Sequence, residues 1–475
     1  MKQRDFTEGK LFGPMFTFAL PIILTNLLQT AYNIADNIVV GKFSGDTLAL
    51  AAVGTASSIS AFVLNLVIGI SVGAGVVVSQ AYGARDYGKV SRSVHTSLCF
   101  GLLFGLVVGA IAFILAPHVL IWTGVKDELL SRATLYLRIL FAAYPATAIY
   151  NFAASALRAV GDSRTSLVIL ASSGVLNVGL NLVFVLFLHM SVGGVALATA
   201  ISKYVSAFAV MAVLSRRRGE VYAFSFSKCK IWRAELLSML RFGVPNSIQN
   251  TMFNISNIFF TAALNTLDTY VLSAKTIAMN LTGVANNFSS SYMNAMLTFS
   301  AQNYGAKKPE RIQRSLLICL LQGVLLTIGI GVLMLLFINP ISSLYIDNAD
   351  ANREMIMRCV REIGVVTLPY YFLCSAMNAS AGALRGMGYS TTPMVNSILG
   401  ICGFRLLWIF LAFPLEIFHS AQGIYLAFPI SWGLVVIANL ACIFLVAKKV
   451  KTKLESEREA EEIHHQSVFE EAKSV

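Results

Sequence analysis

The chain is short of charge. Only 13% of its 475 residues are Asp, Glu, Lys or Arg, while 56% are apolar and the mean hydropathy is +0.70. A soluble core cannot hide that much apolar surface, so water is excluded as the main solvent. Cysteine is sparse and shows no CxxC spacing. Cys99, Cys319, Cys359, Cys374, Cys402 and Cys442 lie in or beside apolar runs and Cys229 lies between two of them, a pattern that predicts neither a disulfide framework nor a metal site. The six histidines also lack ligand spacing, and His464 and His465 belong to a charged tail. A phosphate-cradling GxxxxGK[ST] sequence and an HExxH pair are both missing. Neither an ATP-driven pump nor an enzyme is therefore expected, and no cofactor is called for.

What the sequence has in abundance is apolar runs of span length, separated by short polar or Gly/Pro breaks. A helix needs roughly 20 such residues to cross a bilayer. The runs place spans near 14–40, 48–78, 94–116, 134–158, 165–188, 192–214, 236–262, 271–301, 316–337, 360–384, 392–412 and 421–447. The stretch from Ser166 to Leu188 shows none of the period-two alternation of a barrel strand, so the fold class is an all-α integral membrane protein with twelve transmembrane helices. Orientation follows the Lys and Arg clusters. Arg85, Lys89 and Arg92; Arg158 and Arg164; Arg216 to Arg233; Lys307 to Arg314; and Lys448 to Lys453 all fall on one side, while Lys126 to Glu128 and Asp347 to Asp350 fall opposite. Met1 to Lys10 reads as a retained polar start. The expectation is a multi-pass protein of the cell membrane with both termini cytosolic. The net charge of +12 is explained by those cytosolic loops, so no nucleic-acid partner is expected.

An internal repeat organises the chain. Gln80-Ala81-Tyr82-Gly83-Ala84-Arg85 recurs as Gln302-Asn303-Tyr304-Gly305-Ala306-Lys307. At nearly the same separation, Pro21 matches Pro245, Pro145 matches Pro369, and Leu157-Arg158 matches Leu384-Arg385. Four matches in order mean duplication. The expected division is a six-helix lobe over 1–215, a cytosolic linker over 216–235, a second six-helix lobe over 236–448 and a charged cytosolic tail over 449–475. Six spans are an even number, so a pseudo-two-fold axis along the membrane normal would relate the lobes. Two such lobes can rock about a cleft, as alternating access requires.

Pro21 followed by Asp36, the two QxYGA signatures, and the turns Leu157-Arg158-Ala159-Val160-Gly161 and Leu384-Arg385-Gly386-Met387-Gly388 carry a resemblance. Over essentially the whole membrane part, the chain resembles the multidrug and toxic compound extrusion (MATE) family of cation-coupled efflux transporters, nearest in pattern to its DNA-damage-inducible-protein-like branch. The resemblance implies a twelve-helix, V-shaped antiporter that expels amphipathic, often cationic compounds in exchange for H+ or Na+. It also implies that Asn177, Asn181 and Thr199 line a cation site, although Asn181 stands where many relatives carry aspartate. In the sodium-coupled branch a second acidic site lies in the other lobe, but matching positions here fall near Asn254 and Cys374.

The residues can be weighed physically beside that resemblance. Asp36 is the only acid well inside an amino-terminal span, where a carboxylate costs roughly 2.5 to 3.5 kcal/mol on insertion scales. It is either a cation-coupling group or an interfacial acid beside Lys42. Tyr32, four residues earlier, shares its helical face, as Asn177 shares that of Asn181. These asparagines and Thr199 would otherwise serve as interhelical hydrogen bonds. Pro21 is a candidate gating kink, or simply a tolerated one. Gln249, Asn254, Asn286, Asn287 and Asn294 are candidate substrate contacts or packing groups. Lys203 and Lys275 are expected to snorkel to an interface, and Arg405 to pair inside the bundle. The partners expected are small amphipathic substrates and membrane lipid, around a monomer. A lipid-linked oligosaccharide flippase of the same superfamily is the alternative, but flippases of that kind usually carry a basic central cavity, and the acid here favours cationic cargo.

Overall fold

Backbone N–H and C=O groups in lipid must be satisfied within the segment that carries them, and long apolar runs answer by forming helices. The computed structural model describes residues 5–43, 48–217, 219–346, 351–446, 448, 449 and 452, and among these there is no strand. The acids Asp347 to Asp350, the Lys42 side chain, and the tail beyond Thr452 with His464 and His465 lie outside the described residues.

The helices are α1 (Phe12–Phe43), α2 (Ala49–Gly83), α3 (Tyr87–Trp122), α4 (Asp127–Ala142), α5 (Tyr144–Ala159), α6 (Ser163–Leu182), α7 (Ser191–Arg216), α8 (Arg233–Leu264), α9 (Thr269–Gly305), α10 (Pro309–Leu336), the short α11 (Ile338–Ser343), α12 (Arg353–Thr367) and α13 (Tyr371–Gly386). They are followed by α14 (Thr391–Ala412) and α15 (Ala421–Val446). Among the described residues, eight are long and apolar enough to cross a membrane, or nine if α4 and α5 are one broken span. At 32 and 37 residues α8 and α9 exceed the length of a span, but Asn246, Gln249, Asn254, Asn286, Asn287 and Asn294 dilute their hydropathy. The expected span over 134–158 is not straight: α4 and α5 meet at a 47° bend. Pro145 sits in the first turn of α5, where its missing N–H costs nothing. Pro369 occupies the matching break between α12 and α13.

By its internal contacts the chain groups into two compact units. One comprises Thr17–Val78 and Tyr87–Ile258; the other comprises Asp5–Phe16, Ser79–Asp86 and the chain from Phe259 onward. Most of α8 packs in the first unit. The reason is close backbone approach: a Cβ at Gly69 would meet Ser247, and one at Gly73 would meet the backbone of Met239 and Gly243. Ser247 Oγ then donates to Leu66 O at 3.0 Å. Small residues also join α3 to α5, since a Cβ at Gly105 would come within 2.8 Å of Ala148 Cβ and Pro145 Cα.

The stretch after α7 is no free linker. Arg217 bonds Asp162 at 2.7 Å and Thr165 at 2.9 Å. His95 on α3 stacks on Phe224, accepts from Ser225 N at 3.0 Å and meets Trp232 edge-on. That return over α3 brings Cys229 beside Cys99, with Cα atoms 6.5 Å apart. A pair 130 residues apart leaves no local spacing to read in the sequence.

Candidate functional site

The first unit holds a cavity of about 410 Å3, lined by α1, α2, α4, α5, α6 and α7, with Asp36 in its wall. Asp36 is only 8% exposed. Its Oδ1 accepts from Asn181 Nδ2 at 2.5 Å and its Oδ2 from Thr199 Oγ1 at 3.3 Å. Asn177 completes the cluster, donating to Thr199 Oγ1 at 3.2 Å and accepting from Asn181 Nδ2 at 3.4 Å. The structure thus brings together Asp36, Asn177, Asn181 and Thr199 from three helices. Asn181 is fully buried and its Oδ1 has no hydrogen-bond partner. Such an orphan acceptor costs about 1–3 kcal/mol and marks a place where a proton donor or a cation would be welcome. Next to Asn181, α6 underwinds into a π-helical turn over Val183–Phe187, a feature frequent at functional positions.

Tyr32 also lines the cavity and donates to Ala171 O at 3.2 Å. It fits only because residue 174 is glycine; a Cβ there would collide with the Tyr32 ring. Pro21 lies inside α1, which runs through it unbroken. Near it, Pro21 O accepts from Thr25 Oγ1 at 2.7 Å and Phe18 O from Ser163 Oγ at 3.0 Å.

A family model described as MatE matches residues 21–183 and 245–412, well over half of the chain. The chain belongs to the MatE family. Among its relatives, the probable multidrug resistance protein YoeA of Bacillus subtilis is 26% identical over 440 residues, covering 90% of this chain and 92% of that one. The probable multidrug resistance protein NorM of Thermotoga maritima is 24% identical over 401 residues, covering 82% and 83%. A solved structure described as an outward-facing conformation of a multidrug resistance MATE family transporter superposes with a TM-score of 0.85 at 20% identity, covering 96% of this chain and 99% of that chain. That likeness shows that the fold is the MATE fold.

Within this MatE chain, one charged residue departs from the sequence reading. Lys203 does not reach for an interface. It lines the Asp36 cavity, near enough for the two charges to act on each other, with its ammonium 5.9 Å from the centre of the Tyr144 ring. Snorkelling is the default for an isolated helix, and only the neighbouring helices reveal the inward path. Tyr136, Tyr150, Thr147 and Ser57 are further cavity groups that sequence reasoning missed; nothing in their spacing sets them apart from packing residues.

The remaining candidates lie elsewhere. Gln249 is buried on α8, and Asn254 Nδ2 is buried there without a partner. In the second unit Asn286 is exposed, Asn287 O accepts from Ser291 Oγ at 2.6 Å, and Asn294 donates to Ser290 O at 2.9 Å. None of these five lines the Asp36 cavity. Lys275 donates to Thr261 at 2.6 Å. Arg405 donates to Ser431 Oγ at 3.3 Å and lies 3.7 Å from the Phe428 ring centre, a cation–π contact in place of a carboxylate. The segment Gly69-Ile70-Ser71-Val72-Gly73 spells the hydrolase GxSxG pattern, but Ser71 is buried within α2 and donates to Ile68 O at 2.8 Å. A nucleophile needs the exposed strand-to-helix elbow that this position lacks.

Proposed function

We propose that this MatE chain is a multi-pass cell-membrane antiporter, with both termini cytosolic, that exports amphipathic, often cationic compounds by alternating access in exchange for H+ or Na+. The observation that carries the reading is a buried carboxylate, Asp36, held by neutral donors in a cavity wall beside an unpartnered buried oxygen on Asn181. The names of YoeA and NorM point the same way.

The arrangement suggests how exchange is coupled. A proton would sit on Asp36; a Na+ ion would add the oxygens of Asn177, Asn181 and Thr199, all hard neutral ligands. Either ion cancels the carboxylate charge, and Lys203 then leaves the cavity net positive and repels a cationic cargo. Departure of the ion restores the carboxylate, which offsets the Lys203 charge and removes that repulsion. Ion and cargo therefore compete for one charge without touching the same atoms.

Ethidium efflux from proteoliposomes, under a Na+ gradient or a pH gradient applied alone, tests the reading. Wild-type export driven by one gradient is expected, with at least tenfold loss in Asp36→Asn at unchanged melting temperature. Wild-type rates in Asp36→Asn would remove Asp36 from the mechanism, and no export under either gradient would favour lipid-linked cargo.

A further inference from the structure

A second cavity, of about 810 Å3, opens in the other unit where the segment leading into α1 crosses the start of α10. Lys10, Lys307, Lys308, Arg311 and Arg314 line it, against the single carboxylate of Glu310. Two of the cations are fixed in place by backbone oxygens, with the exposed Glu8 carboxylate 4.0 Å from Lys308 as a partial counter-charge. Arg311 donates to the backbone oxygens of Phe6, Glu8 and Gly9 at 3.0, 2.7 and 2.9 Å, and Lys308 to that of Thr7 at 2.9 Å. Lys10 and Arg314 stand exposed at the rim.

The same cavity has an apolar exit. Phe12 and Leu317 line it while remaining 56% and 67% exposed. Leu317 starts a strip, continued by Leu321, Leu325, Ile328 and Val332, whose helical spacing keeps one exposed face along α10. Arg314 stands one turn ahead of that strip. Since α10 is among the helices apolar enough to span the membrane, the strip faces acyl chains and the cationic cavity lies at headgroup depth, on the side that the Lys and Arg clusters assign to the cytosol. A free phosphate would use only the cations; a phospholipid uses both parts.

We propose that this cavity binds the headgroup of an anionic phospholipid, its phosphate on Lys10, Arg311 and Arg314 and an acyl chain along Leu317 and Leu321. Native mass spectrometry of the full chain in detergent, titrated with phosphatidylglycerol, phosphatidylcholine or glycerol 3-phosphate, tests it. Phosphatidylglycerol is expected to be retained severalfold more than phosphatidylcholine. Lys10→Gln with Arg314→Gln should cut that retention about 25-fold, at about fivefold per cation, without changing phosphatidylcholine binding or the melting temperature. Lys10→Arg with Arg314→Lys should preserve it. Equal retention of the two lipids, wild-type retention in the glutamine double variant, or displacement of phosphatidylglycerol by equimolar glycerol 3-phosphate would each overturn the proposal, the last by making this a soluble-anion site.

Discussion

At Gly174 a missing side chain gives Tyr32 its place, since any Cβ there would meet the ring. Gly174→Ala must therefore push Tyr32 off Ala171 O or part α1 from α6, at a cost of about 1–3 kcal/mol for an overpacked contact. Coupled efflux is expected to fall severalfold with a lower melting temperature, and adding Tyr32→Ala should restore the melting temperature while leaving efflux impaired. An efflux rate equal to wild type in Gly174→Ala would show that the Tyr32 position is immaterial. Nothing in the sequence singled out Gly174, because a glycine in an apolar helix has no partner until the fold supplies one. Asp36 was legible for the opposite reason: a carboxylate in an apolar run is costly wherever the helix ends up. Asn177 and Asn181 were placed on one face by their spacing, but the family resemblance, and not the spacing, set them beside Asp36. The long stem of Lys203 permits two destinations, and only the fold chooses between them.

Where elements begin and end, short-range chemistry does most of the work. Asp162 caps α6, accepting from Thr165 N at 3.0 Å and Thr165 Oγ1 at 2.6 Å, and it holds Arg217 at 2.7 Å. Burial alone would push this carboxyl up, but the Thr165 bonds and then Arg217 more than reverse it, so it is held below its ordinary value of 3.8. A folded value below the unfolded one means that the contribution is fully present above about pH 3.8 and is lost as pH falls through the folded value. Asp162→Asn should lower the melting temperature at pH 7, by the equivalent of roughly 1.5–3 kcal/mol for hydrogen bonds to a charged group. The gap between variant and wild type should narrow only in more acidic buffer; a constant gap from pH 7 to pH 3 would show that the charge contributes nothing. Breaks of this kind were half legible: Pro145 and Pro369 were seen as repeat landmarks, but whether a proline bends a span depends on what packs against it. The loop after α7 reads as a linker because it joins the two repeats, and its docking on His95 rests on contacts that no local pattern encodes.

The duplication is written into the backbone of the whole chain as well as into its motifs. Arg85 and Lys307, at matching places in the two signatures, take left-handed φ values of 57° and 56°, and Gly161 and Gly388 take 85° and 90°. The signatures also meet reciprocally within the second unit: a Cβ at Gly83 would strike Gln302 O, and one at Gly305 would strike Gln80 O. Two halves with the same turns at the same places should enter the bilayer in the same sense, which requires an even number of crossings per half. That requirement has a direct test. In a cysteine-free background, single cysteines at Lys89 and Glu310, both exposed, should react with a membrane-impermeant thiol reagent only after the cytosolic face is opened. Cysteines at Asp127 and Glu354, also exposed, should react in intact cells. If Lys89→Cys and Glu310→Cys were labelled from opposite sides, the halves would be inverted relative to each other. The axis relating them would then lie in the membrane plane, and the pairing of the Lys and Arg clusters that orients the chain would have to be abandoned.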